Sequence, residues 1–163
     1  MRLIVLLLLL VLPAAGLLAQ QQPDARELPY LHRTTPTDDE LTGVWTGELL
    51  QNEGGIADRF EFSMKIQQNG IFLRGTSYVK HGEIYVEMRF NGYQLPSGSW
   101  KFTETEIIRG EKPEDLSWCM KQMELRLSYT KNGLSLHGPW WGDSAFGPCV
   151  PGSVRLHLKR DRA

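Results

Sequence analysis

The chain has 163 residues, and its 18 Lys and Arg nearly balance 19 Asp and Glu, for a formal net charge of −1. Near-neutrality gives no electrostatic footprint for a phosphate backbone and argues against nucleic acid as a partner. A hydrophobic fraction of 41% is enough for a packed core and too high for a wholly disordered chain.

In chain order, Arg2 precedes an unbroken apolar run from Leu3 to Leu12, after which Pro13 and Gly16 loosen the segment before Leu17, Leu18 and Ala19. A basic start, an apolar core and a small residue before a polar stretch make residues 1–19 a signal peptide, with cleavage expected near Ala19. As a retained anchor, the seventeen residues from Leu3 to Ala19 fall short of the ~20 that a spanning helix needs, and no positive cluster follows them. The segment contains no Cys, which excludes a lipoprotein anchor. The sequence therefore predicts a secreted or periplasmic protein with no transmembrane span once the signal is removed. About 144 residues remain, with 17 basic against 19 acidic, and such a length suits one domain burying roughly 70% of its unfolded surface. Residues 20–40 hold three Gln and three Pro without periodicity, and read as a flexible leader.

From Leu41 to the end, residues 41–163, short apolar alternations are punctuated by turn residues. Asn-Gly pairs stand at Asn69-Gly70, Asn91-Gly92 and Asn132-Gly133, and Asn-Gly tolerates the positive φ that a type I′ hairpin turn demands. Eight strands are predicted, at about 43–51, 59–68, 71–79, 84–91, 99–109, 118–131, 134–141 and 153–160. Pro113 to Leu116 would form one helical turn at most. A two-residue turn at Asn69-Gly70 puts Ile66 opposite Leu73 and Phe60 opposite Val79. The same rule at Asn132-Gly133 puts Tyr129 opposite Leu136, Leu125 opposite Trp140 and Cys119 opposite Phe146. In both hairpins the apolar residues then share one face, which a one-residue slip would split. The two cysteines, Cys119 and Cys149, are expected to form a disulfide at that end of the sheet.

Eight sequential antiparallel strands with short links predict an all-β, up-and-down meander barrel, since closure removes exposed edges; a two-sheet β-sandwich is the alternative. The first strand opens with Gly43-Val44-Trp45, and the last carries Arg155. That pair resembles the calycin group, the lipocalin-like and avidin-like ligand-binding barrels. The resemblance implies that the Trp45 indole packs across a closed barrel end under a basic residue, Arg155 or, as runner-up, Arg160. It covers the strand plan from Leu41 to Arg160, although its motif is only a few residues long. The second lipocalin motif and the biotin-contacting pattern of the avidins are not found, so a shape and a binding mode are implied rather than a ligand. On the residues alone, Trp45 and Arg155 also read as a core aromatic covered by an arginine stem.

Trp118, Trp140 and Trp141 cluster near the cysteines, with Phe146 in the following loop. Tied by Cys119–Cys149, they would form an aromatic mouth, and the expected ligand-binding set is Trp118, Tyr129, Trp140 and Trp141. Core filling is the plainer reading, and Trp140 and Trp141, being adjacent on one strand, must point to opposite faces. His32, His81, His137 and His157 are scattered without metal-ligand spacing, so neither a metal nor another cofactor is expected. Asp143-Ser144 near His137 lacks a nucleophile-elbow frame, and no catalytic residue is assigned. Glu104 and Glu106 fall on one strand face about 7 Å apart at ~3.4 Å per residue, and read as an exposed charged face. The function expected is non-enzymatic binding of a small apolar or aromatic ligand inside a secreted, lipocalin-like barrel. The alternative is an envelope or extracellular protein-interaction module whose core is filled by Phe60, Phe62, Met64, Met88, Phe90 and Met123.

Overall fold

Period-two alternation dominates the sequence from Leu41 onward and dictates which side chains turn inward. Along Arg59–Asn69, every second residue from Phe60 to Gln68 is buried and its neighbours face out. The structure, a computed structural model, describes residues 40–131 and 133–159. The expected signal peptide, the leader up to residue 39, His32, Asn132 and Arg160 lie outside the described residues.

Nine strands form: β1 Gly43–Gln51, β2 Arg59–Asn69, β3 Phe72–His81, β4 Ile84–Gln94, β5 Trp100–Glu111, β6 Met120–Thr130, β7 Gly133–Ser144, β8 Gly147–Pro148 and β9 Gly152–Leu158. From β1 to β7 each strand pairs antiparallel with the next, β7 pairs with β9, and β9 pairs with β1. The ring of eight is closed, which is the expected meander barrel and not the sandwich. The ninth strand, β8, is a two-residue return of the chain beside the end of β7 and was not expected.

The hairpins keep the expected faces but not the expected registers. Gln68 pairs with Leu73, Ile66 with Gly75 and Phe62 with Val79, so Gly70-Ile71, not Asn69-Gly70, makes the turn. In the β6–β7 hairpin Tyr129 lies opposite Leu134, Leu127 opposite Leu136 and Met123 opposite Trp140, again two positions from the expectation. A shift of two preserves the pleat, which is why the shared apolar face survives. Cys119 consequently has no partner at Phe146: the ladder begins at Met120 opposite Asp143. Asn91-Gly92 is no turn at all, because β4 runs through it to Gln94 and the chain reverses around Gly98 (φ 83°). Gly92 is instead a place of close approach, where an added Cβ would lie 2.4 Å from the Lys101 carbonyl oxygen.

One end of the barrel is plugged. Trp45, Phe62, Phe90 and Phe102 are all essentially inaccessible, and the Phe90 and Phe102 rings meet edge-on at 5.5 Å. The Trp45 Nε1 donates to the Leu41 carbonyl at 2.8 Å, the Leu41 N–H donates to Gln68 Oε1 at 2.8 Å, and Gln68 Nε2 donates to the Gly70 carbonyl at 2.9 Å. The chain entering β1 is thus tied across the end that the indole fills. Arg155 does not cover that indole. It stands on the outer face opposite Glu48, with which it pairs at 3.6 Å, while the β9 partner of Trp45 is Leu158. Among the described residues no helix is long and apolar enough to cross a membrane.

Trp45→Ala is expected to cost ~3–5 kcal/mol, as removal of a fully enclosed aromatic does. Arg155→Ala, breaking only an exposed pair, should stay within ~1 kcal/mol. Urea unfolding of both variants checks this; comparable losses would restore Arg155 to a closure role.

Candidate ligand-binding site

At the opposite end Leu49, Val79, Val86 and Met88 face inward beside Phe60 and Trp140, and the strands part. The β5–β6 ladder holds only from Trp100–Leu125 to Thr103–Gln122. Beyond it β5 runs on along β4 while residues 112–119 return the chain to β6. The result is a cavity of about 270 Å³ lined mainly by apolar side chains, among them Leu49, Phe60, Val86, Met88, Trp118 and Trp140, with Phe146 at its rim. The Cys119–Cys149 disulfide, present as expected, crosses this mouth and ties the β5–β6 connection to the loop after β8. The Cys149 N–H also donates to the Gly142 carbonyl at 2.9 Å.

Two of the four expected ligand-binding residues come together here. Trp140 is buried, and its Nε1 donates to the Leu50 carbonyl at 2.8 Å, which fixes the indole as part of the wall. Trp118 lies against Gly110, where an added Cβ would sit 2.8 Å from the indole Cζ2; a side chain there would displace the ring. The other two are elsewhere. Trp141, 37% exposed, faces outward opposite Gln122, and Tyr129, 74% exposed, sits near the β6–β7 turn at the plugged end.

Beneath the cavity, behind Lys121 in its lining, lies a carboxylate that the sequence reading placed on the surface. Glu104 and Glu106 do not share a face. The β4–β5 register shifts between Arg89–Glu106 and Phe90–Glu104, so Thr105 is extra and the pleat inverts. Glu106 is left outside, paired with Arg89 at 3.4 Å, and Glu104 turns into the barrel. There Glu104 Oε1 accepts from Ser77 Oγ at 2.6 Å, and Oε2 accepts from the Lys121 N–H at 2.8 Å and from Lys121 Nζ at 2.9 Å. The carboxylate therefore bonds a backbone donor of β6 just where β5 and β6 separate. Lys121, with 5% side-chain exposure, lines the cavity and also donates to the Cys119 carbonyl at 3.3 Å. A signal for both groups was present: each continues the apolar phase of its strand, Glu104 after Trp100 and Phe102, Lys121 before Met123 and Leu125.

The remaining polar candidates do not assemble. His137 lies on the outer face with Ser128 Oγ at 3.5 Å, and Asp143 is six residues further along β7, ~20 Å at the strand rise. Ser144 Oγ donates to the Gly147 carbonyl at 3.1 Å. His81 packs on Phe60 with ring centroids 5.4 Å apart. Among the described residues no three His, Cys, Asp or Glu side chains gather as a metal site would require. Neither a protein-family model, nor a curated protein, nor a solved structure matches the chain.

Lys121→Met leaves a buried carboxylate without its counter-charge and is expected to cost ~3–5 kcal/mol, whereas replacing both charges together (Glu104→Gln with Lys121→Met) should recover most of that loss. Urea midpoints of the two variants measure the difference. Equal destabilisation would mean that the two charges are not coupled.

Proposed function

We propose that this protein is an exported barrel that binds a small, partly apolar molecule at its disulfide-linked end and leaves it chemically unchanged. The observation that carries the reading is the cavity of about 270 Å³ between Trp118, Trp140 and the Lys121 floor. An apolar cavity of ~150 Å³ suffices for benzene, and drug-sized pockets run from ~300 Å³ upward. The space here suits about two fused rings or a short branched chain. Calycin-like barrels place ligands in the same kind of site, and the closed eight-stranded ring is compatible with that comparison. Both oxygens of Glu104 are engaged by protein donors, which supports holding a ligand over transforming one. The disulfide agrees with an oxidising compartment and hence with the export that residues 1–19 suggest. A filled-core interaction module would have no use for space at this end, and the cavity therefore favours the ligand-binding reading.

Native mass spectrometry of protein exported into an oxidising compartment is expected to show added mass that disappears on denaturation. Trp118→Ala should lose that load and Trp141→Ala, on the outer face, should retain it. Equal retention by both variants, or a bare mass together with no uptake of 2-acetylnaphthalene, would remove the reading.

A further inference from the structure

We infer that the ligand carries a neutral hydrogen-bond acceptor, a ketone, ester or amide carbonyl, that accepts a hydrogen bond from the third N–H of the Lys121 ammonium; this deepens the ligand-binding reading and rests on it. An ammonium has three N–H donors. At Lys121 one goes to Glu104 Oε2 at 2.9 Å and one to the Cys119 carbonyl at 3.3 Å. The third has only the Met88 sulfur at 3.9 Å, and a thioether is a weak acceptor. Lys121 is almost wholly shielded from bulk water, and both it and Met88 line the cavity. The floor thus presents one strong, poorly used donor to anything that enters.

Charge decides the class of acceptor. Glu104 is completely buried and already compensates Lys121, so the floor is neutral as a pair. A ligand carboxylate would be stripped of water and set beside a second anion at low dielectric, a large cost for one additional contact. A neutral carbonyl loses far less on desolvation and still gains a charge-assisted hydrogen bond. A pure hydrocarbon would leave the proton on sulfur. The favoured ligand therefore has an apolar body for Trp118, Trp140 and Phe60, and one uncharged carbonyl directed at Lys121.

Three probes on one frame test this by calorimetry on the disulfide-intact mature protein: 2-isopropylnaphthalene, 2-acetylnaphthalene and naphthalene-2-carboxylate. The ketone is expected to bind tightest of the three. Its advantage over the hydrocarbon should shrink about tenfold or more in the Glu104→Gln, Lys121→Met double variant, the range expected for a hydrogen bond to a charged group. An unchanged ratio, or tightest binding of the carboxylate, overturns the inference while ligand binding itself stands. No binding of any probe by the wild-type protein removes the ligand-binding reading as well. A readout independent of any variant's folding is the carbonyl ¹³C resonance of labelled ketone bound to the wild type. It should lie downfield of its position in an apolar solvent, and an apolar-solvent shift overturns the assignment.

Discussion

The pairing of β1 with β9, from Trp45–Leu158 to Gln51–Gly152, closes the ring and sets the terms for everything inside it. Once an eight-stranded sheet closes, its interior is just wide enough for side chains to fill, so the size of each inward residue decides whether a given level is solid or hollow. Tryptophan and three phenylalanines occupy the levels near the chain's entry into β1. Leu49, Val79, Val86 and Met88 share the levels near the disulfide with Phe60 and Trp140, and the cavity lies there. The asymmetry of the barrel thus follows from where β5 and β6 part.

The ring is at its least paired between β5 and β6, which diverge after Thr103–Gln122. Two register shifts in the β4–β5 ladder redirect the far half of β5, and the cavity opens in the resulting gap. The gap leaves the Lys121 N–H of β6 without a strand partner, and an unpaired buried donor is costly. Glu104 supplies the missing acceptor for the Lys121 N–H, and the lysine side chain supplies the compensating charge. One arrangement therefore holds the splayed strands together and places an ammonium at the cavity floor. A buried ion pair is seldom the most stable solution for a core, since well-packed apolar residues of similar volume commonly do as well or better. Here the pair also satisfies the Lys121 N–H where β5 and β6 part.

The disulfide and the aromatic wall act on the same end from outside the ladder. The Cys119–Cys149 bond ties two connections that share few backbone hydrogen bonds, and Trp140 anchors its indole on the Leu50 carbonyl. The mouth is consequently held by one covalent link and one directed hydrogen bond, while Trp118 rests on the space left by Gly110. Loop segments of this kind are otherwise the most mobile parts of a barrel.

Local chemistry was sufficient for much of this. Period-two alternation and turn residues placed eight strands within a few residues of their observed limits, and the same alternation required Trp140 and Trp141 to face opposite ways, as they do. The presence of just two cysteines anticipated the bond between Cys119 and Cys149. What local pattern could not settle was anything that depends on where a neighbouring strand stops. Hairpin register moved by two at Gly70-Ile71, because both registers keep the same face and only packing across the closed ring distinguishes them. Arg155 lies between the inward Val154 and Leu156, and Tyr129 lies ten residues after Cys119 near the far end of β6, so alternation and strand length already set both apart from the barrel interior and the cysteine end. Glu104 and Lys121 could be seen in the apolar phase of their strands, yet a bulge between Glu104 and Glu106 is invisible to a strict alternation count. The sequence by itself determined the strands, their inward faces and the disulfide, since each follows from neighbours a few residues apart or from cysteine chemistry. The tertiary structure alone decided the cavity and its charged floor, because both arise from strands separating in space.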